Sequence, residues 1–253
     1  MHRLARLLVS VSMLFGGVAP VVPFVPPTMT HHGVTIVGSD GRDTDIIAAG
    51  IIADVLDWLD TDPIPDAAGT LDALSFAVFD HRQPERSRAE CGGYRETLKG
   101  MIAYCRPNSQ VLWDNGTPRD TATLTYLLAH EIAHHIDSAL DLRADRQDIL
   151  AGEQFADCIS GAYYRSTDPT PDEVDTARRV VAEWGDDARM KAFGVWDEAE
   201  YMSDLLNLWR HGTGQERVRA WSVGFEAGAA ECHRVMDTPR VSDMWLSANG
   251  KAV

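Results

Sequence analysis

The chain has 253 residues, 45% of them hydrophobic, enough for a real core in one large domain or two small ones. Its formal net charge of −15 repels phosphate backbones and anionic lipid heads, so nucleic-acid binding has no electrostatic support. Beyond the first residues, no segment approaches the roughly 20 consecutive apolar residues that a membrane span requires.

Residues 1–27, "MHRLARLLVSVSMLFGGVAPVVPFVPP", set Arg3 and Arg6 ahead of an apolar run from Leu7 to Val22, the layout of a secretory signal. The run is short for a span and is broken by Gly16, Gly17 and Pro20, so a cleaved signal and an uncleaved N-terminal anchor both fit. Either one predicts a secreted or cell-envelope protein that meets the membrane only through this segment. Residues 28–43 read as a linker, with "GVTIVG" as a short strand, and the main domain runs over 44–253. Ile47, Ile51, Val55 and Trp58 recur at helical spacing from Thr44 to Leu59, and "DPIP" then stops that helix. "LSFAVFD", "MIAYC" and "QVLWD" read as strands by their aromatic and β-branched content and predict a small sheet. From Asp120 onward the period is helical: Thr121 to Leu140, Ala151 to Arg165, Pro171 to Trp184, Glu198 to Trp209 and Gln215 to Gly228. The expected class is α+β, mostly helical, in one domain.

Cys91, Cys105, Cys158 and Cys232 form an even set in a chain with an export signal, which favours two disulfides over free thiols. Three pairings are possible. Cys91 and Cys105 flank one short Gly-rich loop, which favours that pair and leaves Cys158 for Cys232. A zinc knuckle is disfavoured because no two cysteines sit two to four positions apart.

His130, Glu131 and His134 spell H-E-x-x-H, and the i, i+4 spacing sets both imidazoles on one helix face, where they can share a metal ion. Zinc suits such a site: two imidazoles and one carboxylate leave a fourth position for water, whose pKa the ion lowers. Glu131, beside the first ligand, is then placed to take the proton of that water. The following helix offers Glu153 as third ligand and, four residues on, Asp157 on the same face to orient a ligand imidazole. His135 points about 100° from His134 and cannot reach the same ion, so it reads as packing or surface. Asp137 reads as a surface or helix C-terminal acid.

These residues occur within a longer pattern. "ECGG", "AYC" and "QVLWD" precede "AHEIAHHID", and "EQFADCISGAYY", "WGDDARMKAFG" and "HGTGQERVRAWSVGFEAGAAEC" follow it. In this order, over roughly residues 90 to 235, the chain resembles the bacterial neutral zinc metallopeptidases, members of the zincins with a gluzincin-like HExxH plus downstream ExxxD. The resemblance implies a zincin-like core, His130, His134 and Glu153 as ligands of one zinc ion, Glu131 as catalytic base, and a peptide or protein substrate. In zincins the strand before the active-site helix commonly binds substrate backbone. Here that strand is Gln110 to Asp114, with Val111 and Leu112 aligning the peptide and Trp113 shaping a subsite, unless it is a core strand with a buried Trp. The oxyanion of peptide hydrolysis needs a second donor. His211 is the first candidate, Tyr164 the second and Arg217 the third, each with a structural alternative: a helix C-terminal cation, a core residue and a salt-bridge partner. The expected function is a zinc endopeptidase of the cell envelope. The alternatives are a catalytically inactive zinc-stabilised binding or structural protein and a hydrolase of non-peptide bonds; the presence of Glu131 favours catalysis.

Overall fold

A computed structural model describes residues 28–31, 33–39, 41–61, 63–79, 102–106, 109–114, 120–142, 149–186 and 211–236. The signal-like segment, Cys91 and the helix expected over 198–209 lie outside the described residues. The class is α+β and mostly helical, with a small mixed sheet at the N-terminal end.

Five strands build that sheet: β1 (Thr28–His31), β2 (Val34–Val37), β3 (Ser75–Phe79), β4 (Ile102–Cys105) and β5 (Gln110–Asp114). Their order is β1-β2-β3-β5-β4. The hairpin of β1 and β2 turns at Gly33, whose φ of 78° suits a residue without a Cβ. β2 then runs parallel to β3, and β3 parallel to β5, while β4 pairs antiparallel on the outer side of β5. The stretch expected to be a linker over 28–43 is thus folded. Val34 and Ile36 alternate with exposed Thr35 and Val37 and sink into the core, the period-2 pattern of a strand with one buried face.

For β5 the structure matches the core-strand alternative. Paired with β3 on one side and β4 on the other, it has no free edge to offer a peptide. Val111, Leu112 and Trp113 are all buried, and the Trp113 indole N–H donates to Asp45 Oδ1 at 3.2 Å. Asp45 is itself held by the Ser39 hydroxyl at 2.6 Å, so this buried acid fastens the first helix to the sheet. Among the described strands that pair with β5, the outermost is β4.

Phe76, Val78, Ile102, Val111 and Trp113 belong to the main core, which packs under α1 (Asp43–Leu59) and α2 (Thr121–Leu140). Ala77, Leu112 and Cys105 form a small cluster apart from it. Asp120 starts α2 by accepting the Thr123 N–H at 2.8 Å, and Asp141 ends it in the left-handed region at φ 52°. The helices α3 (Ile149–Ser166), α4 (Pro171–Glu183), α5 (Gly214–Ala227) and α6 (Ala229–Met236) complete the described fold. Reciprocal capping boxes, Thr170 with Glu173 and Thr213 with Glu216, open α4 and α5.

α3 and α5 pack backbone to backbone. A Cβ at Gly224 would collide with the carbonyl of Cys158, and one at Gly161 with that of Trp221. The Cys158–Cys232 disulfide joins α3 to α6 across 74 residues. Cys105 is also disulfide-bonded, but its expected partner Cys91 is outside the described residues.

Candidate metal centre

The i, i+4 spacing on α2 and the first turns of α3 bring three donors together. His130 Nε2 lies 3.1 Å from His134 Nε2 and 3.2 Å from Glu153 Oε2, and His134 Nε2 lies 3.2 Å from Glu153 Oε1. Ligands bound at about 2.0–2.2 Å around a tetrahedral ion stand roughly 3.3–3.6 Å apart, so a few tenths of an ångström of outward movement would seat a divalent cation. His130 and Glu153 are buried and His134 is half-buried, which leaves one open side to the group.

The tautomer of His130 follows from its other nitrogen. Nδ1 sits 2.9 Å from Asp157 Oδ1, and a carboxylate only accepts, so Nδ1 carries the proton and donates it. In the neutral ring Nε2 then presents a lone pair toward Glu153, which also offers only lone pairs. Two acceptors at 3.2 Å repel unless positive charge joins them: a proton, a metal ion or the Arg217 guanidinium, whose Nη2 stands 3.4 Å from His130 Nε2 and 3.5 Å from Glu153 Oε2. Burial alone would lower the His130 pKa, but the Asp157 and Glu153 carboxylates outweigh it and push the ring up to about 9. A metal would displace that proton. Burial likewise works to raise Glu153, yet the two histidines hold it well below the usual carboxylate value.

Asp157 is fully buried and receives four hydrogen bonds. The Tyr126 hydroxyl donates to Oδ1 at 2.7 Å, His130 Nδ1 at 2.9 Å and Arg217 Nη2 at 2.9 Å, and Arg217 Nε donates to Oδ2 at 3.0 Å. Burial would raise this carboxyl, but the Arg217 charge and the His130 bond hold it below its ordinary value. Arg217 comes from α5, carried to the site by the close packing on α3. Its Nη1 donates to the Trp184 carbonyl at 3.3 Å, and its Nη2 stands 3.5 Å from Glu153 Oε2. It is therefore the salt-bridge partner of Asp157 rather than a group free to meet an oxyanion.

Glu131 accepts the backbone N–H of Tyr104 on β4 at 2.7 Å. Burial pushes its carboxyl above the ordinary value, against the opposing charges of His130 and His134. A raised carboxyl close enough to feel the charges of both histidines is suited to taking and returning a proton.

His211 stands just before α5. Its backbone N–H donates to Asp186 Oδ2 at 2.9 Å and its Nδ1 lies 3.3 Å from Asp186 Oδ1. Burial would lower this ring, but the Asp186 hydrogen bond and the nearby Glu153 charge outweigh it and raise the pKa. Among the sequence candidates for an oxyanion donor it alone keeps a ring nitrogen outside the Asp157 network and near Glu153. Tyr164 is drawn elsewhere, donating to the Glu173 carbonyl on α4 at 3.3 Å.

Of the two remaining motif residues, His135 follows the packing reading and Asp137 does not follow the surface one. Asp137 is buried, with 2% exposure, and is not a surface acid. His135 is equally buried and bridges two elements through both ring nitrogens. Asp186 was missed altogether, since nothing in "WGDD" marks one acid of the pair as a partner for a histidine 25 positions on.

The site thus defines an α+β protein with a helix-borne His/His/Glu group able to hold a metal ion. No protein-family model, no curated protein and no solved structure matches the chain, so any narrower class rests on the chemistry of the site.

Proposed function

We propose that the protein is an exported zinc-dependent endopeptidase of the zincin type. One observation carries this reading: His130 Nε2 and His134 Nε2 stand 3.1 Å apart and each meets one carboxylate oxygen of Glu153 at 3.2 Å, Oε2 and Oε1 respectively, with the Glu131 carboxylate next to His130 in the chain and outside this group. Two neutral imidazoles and one carboxylate form a donor set suited to zinc, which when bound supplies Lewis acidity and lowers the pKa of water.

The protein's own groups then divide the work. Glu131 takes the proton of the attacking water and returns it to the leaving amine, and its burial-raised pKa keeps both steps within reach. His211, turned by Asp186, donates to the carbonyl oxygen as negative charge gathers there. Asp157 and Arg217 touch no substrate in this scheme; they fix the His130 ring. An extended peptide would lie along β4 rather than β5, because β4 is the outer strand on the Glu131 side.

The test is cleavage of an unbiased peptide library by zinc-loaded wild type and by Glu131→Gln. Wild-type cleavage that falls by about 10²–10⁴-fold in the variant, at unchanged metal content, is the expected result. Equal cleavage by both proteins, or none by either, would remove the peptidase reading.

A further inference from the structure

The ring of His135 is built into a chain of hydrogen bonds that ends on Glu131. Its Nε2 lies 2.8 Å from the Thr70 carbonyl oxygen, which can only accept, so Nε2 carries the proton. Nδ1 is bare in the neutral ring and accepts from the Tyr104 hydroxyl at 3.2 Å. The two rings meet edge to face with centroids 5.6 Å apart. Tyr104 belongs to β4, and its backbone N–H is the donor that Glu131 Oε2 accepts at 2.7 Å. One imidazole thereby ties α2 to the turn before β3 and to the outer strand.

We infer that His135 is a positioning residue for Glu131, an inference that rests on the peptidase reading for its catalytic consequence. Glutamate has three rotatable side-chain bonds, and a general base must hold its oxygen within hydrogen-bond reach of the proton it takes. His135 clamps β4 to the catalytic helix through the Tyr104 ring. The Tyr104 amide in turn pins one carboxylate oxygen of Glu131 and leaves the other to exchange the proton. A rigid five-membered ring with one donor and one acceptor suits this span: Phe fills the space with neither group, while Gln retains both. None of the three side chains bonds to His130, His134 or Glu153 in this chain of contacts, so the clamp acts on the base and not on the metal donors.

The test uses the full chain, zinc-loaded, as wild type, His135→Phe, His135→Gln and Tyr104→Phe. Both Phe variants are expected to keep wild-type zinc content and KM while kcat on the peptide library falls about 10–100-fold, the cost of a base displaced by a fraction of an ångström. His135→Gln recovers most of the loss. Hydrogen exchange at the Tyr104 amide reads the same clamp without turnover, and is expected to be faster in His135→Phe and in Glu131→Ala than in wild type. Wild-type kcat and wild-type Tyr104 exchange in Tyr104→Phe and His135→Phe would overturn the inference. An inactive wild type whose Tyr104 exchange still responds would remove the peptidase reading and leave the clamp standing.

Discussion

Asp157 concentrates the chemistry of the site in one side chain. It is fully buried, yet its carboxylate is met by Tyr126, His130 and two nitrogens of Arg217, so its charge is stabilised by geometry rather than by water. Replacing it by Asn keeps the volume but weakens its hold on His130 Nδ1–H, and metal affinity should fall about 10–100-fold in a chelator competition. Asp157→Ala goes further, since it strands the guanidinium of a residue that is 4% exposed. Breaking a buried pair in this way is expected to cost about 3–5 kcal/mol, measurable by denaturant unfolding of the metal-free protein. The pairs His130 with His134 and Glu153 with Asp157 were legible in the sequence, because helical spacing at i, i+4 fixes which side chains share a face. The Arg217 partner was not, for it lies 60 positions from Asp157 and a pairing at that range depends on how α5 packs. Sequence reasoning named Arg217 as a salt-bridge residue or an oxyanion donor without being able to say with which acid it pairs.

Between elements, the decisive contact is that of α3 with α5, since it delivers Arg217 to Asp157. Gly224 lies against the Cys158 carbonyl, one position from Asp157, so Gly224→Ala should push α5 off α3. The expected cost is about 1–3 kcal/mol in unfolding free energy, together with weaker metal binding as Arg217 withdraws. Gly69→Ala is the matched control, for a Cβ there meets nothing within 4 Å, and it should change stability by less than about 0.5 kcal/mol. Five helices were readable within a residue or two, as in the expected Thr121 to Leu140 and the observed α2 (Thr121–Leu140), while α6 was not foreseen. Strand order was not. Its place just before α2 leaves β5 open as either a substrate edge or a core strand, and the chain decides for the core by running from β3 out to β4 and back between them. A signal for this was present: Val111, Leu112 and Trp113 are consecutive apolar residues without alternation, the pattern of a strand covered on both faces.

For the molecule as a whole, cross-links and outer strands matter more than any one helix. The Cys158–Cys232 bridge spans 74 residues and follows directly after Asp157, and the chain-entropy model gives such a loop about 4 kcal/mol. Replacing both Cys158 and Cys232 by Ala should lower unfolding free energy by that order, read from urea curves beside wild type without reductant. The even cysteine count and the short Gly-rich loop between Cys91 and Cys105 made this pairing legible, and "GVTIVG" marked β2, whereas β1 was hidden by the Pro- and His-rich composition beside it. Only the pairing of β2 with β3 shows that Val34 and Ile36 belong to the core.

The proposed function requires that the His/His/Glu group of α2 and α3 hold one zinc ion. Elemental analysis of the purified full chain beside His134→Ala and Glu153→Ala tests it most directly. One zinc per wild-type chain, lost from both variants while each remains folded by circular dichroism, is the predicted result. A wild-type chain that binds no zinc when equilibrated with it, or variants that retain the full complement, would contradict the account.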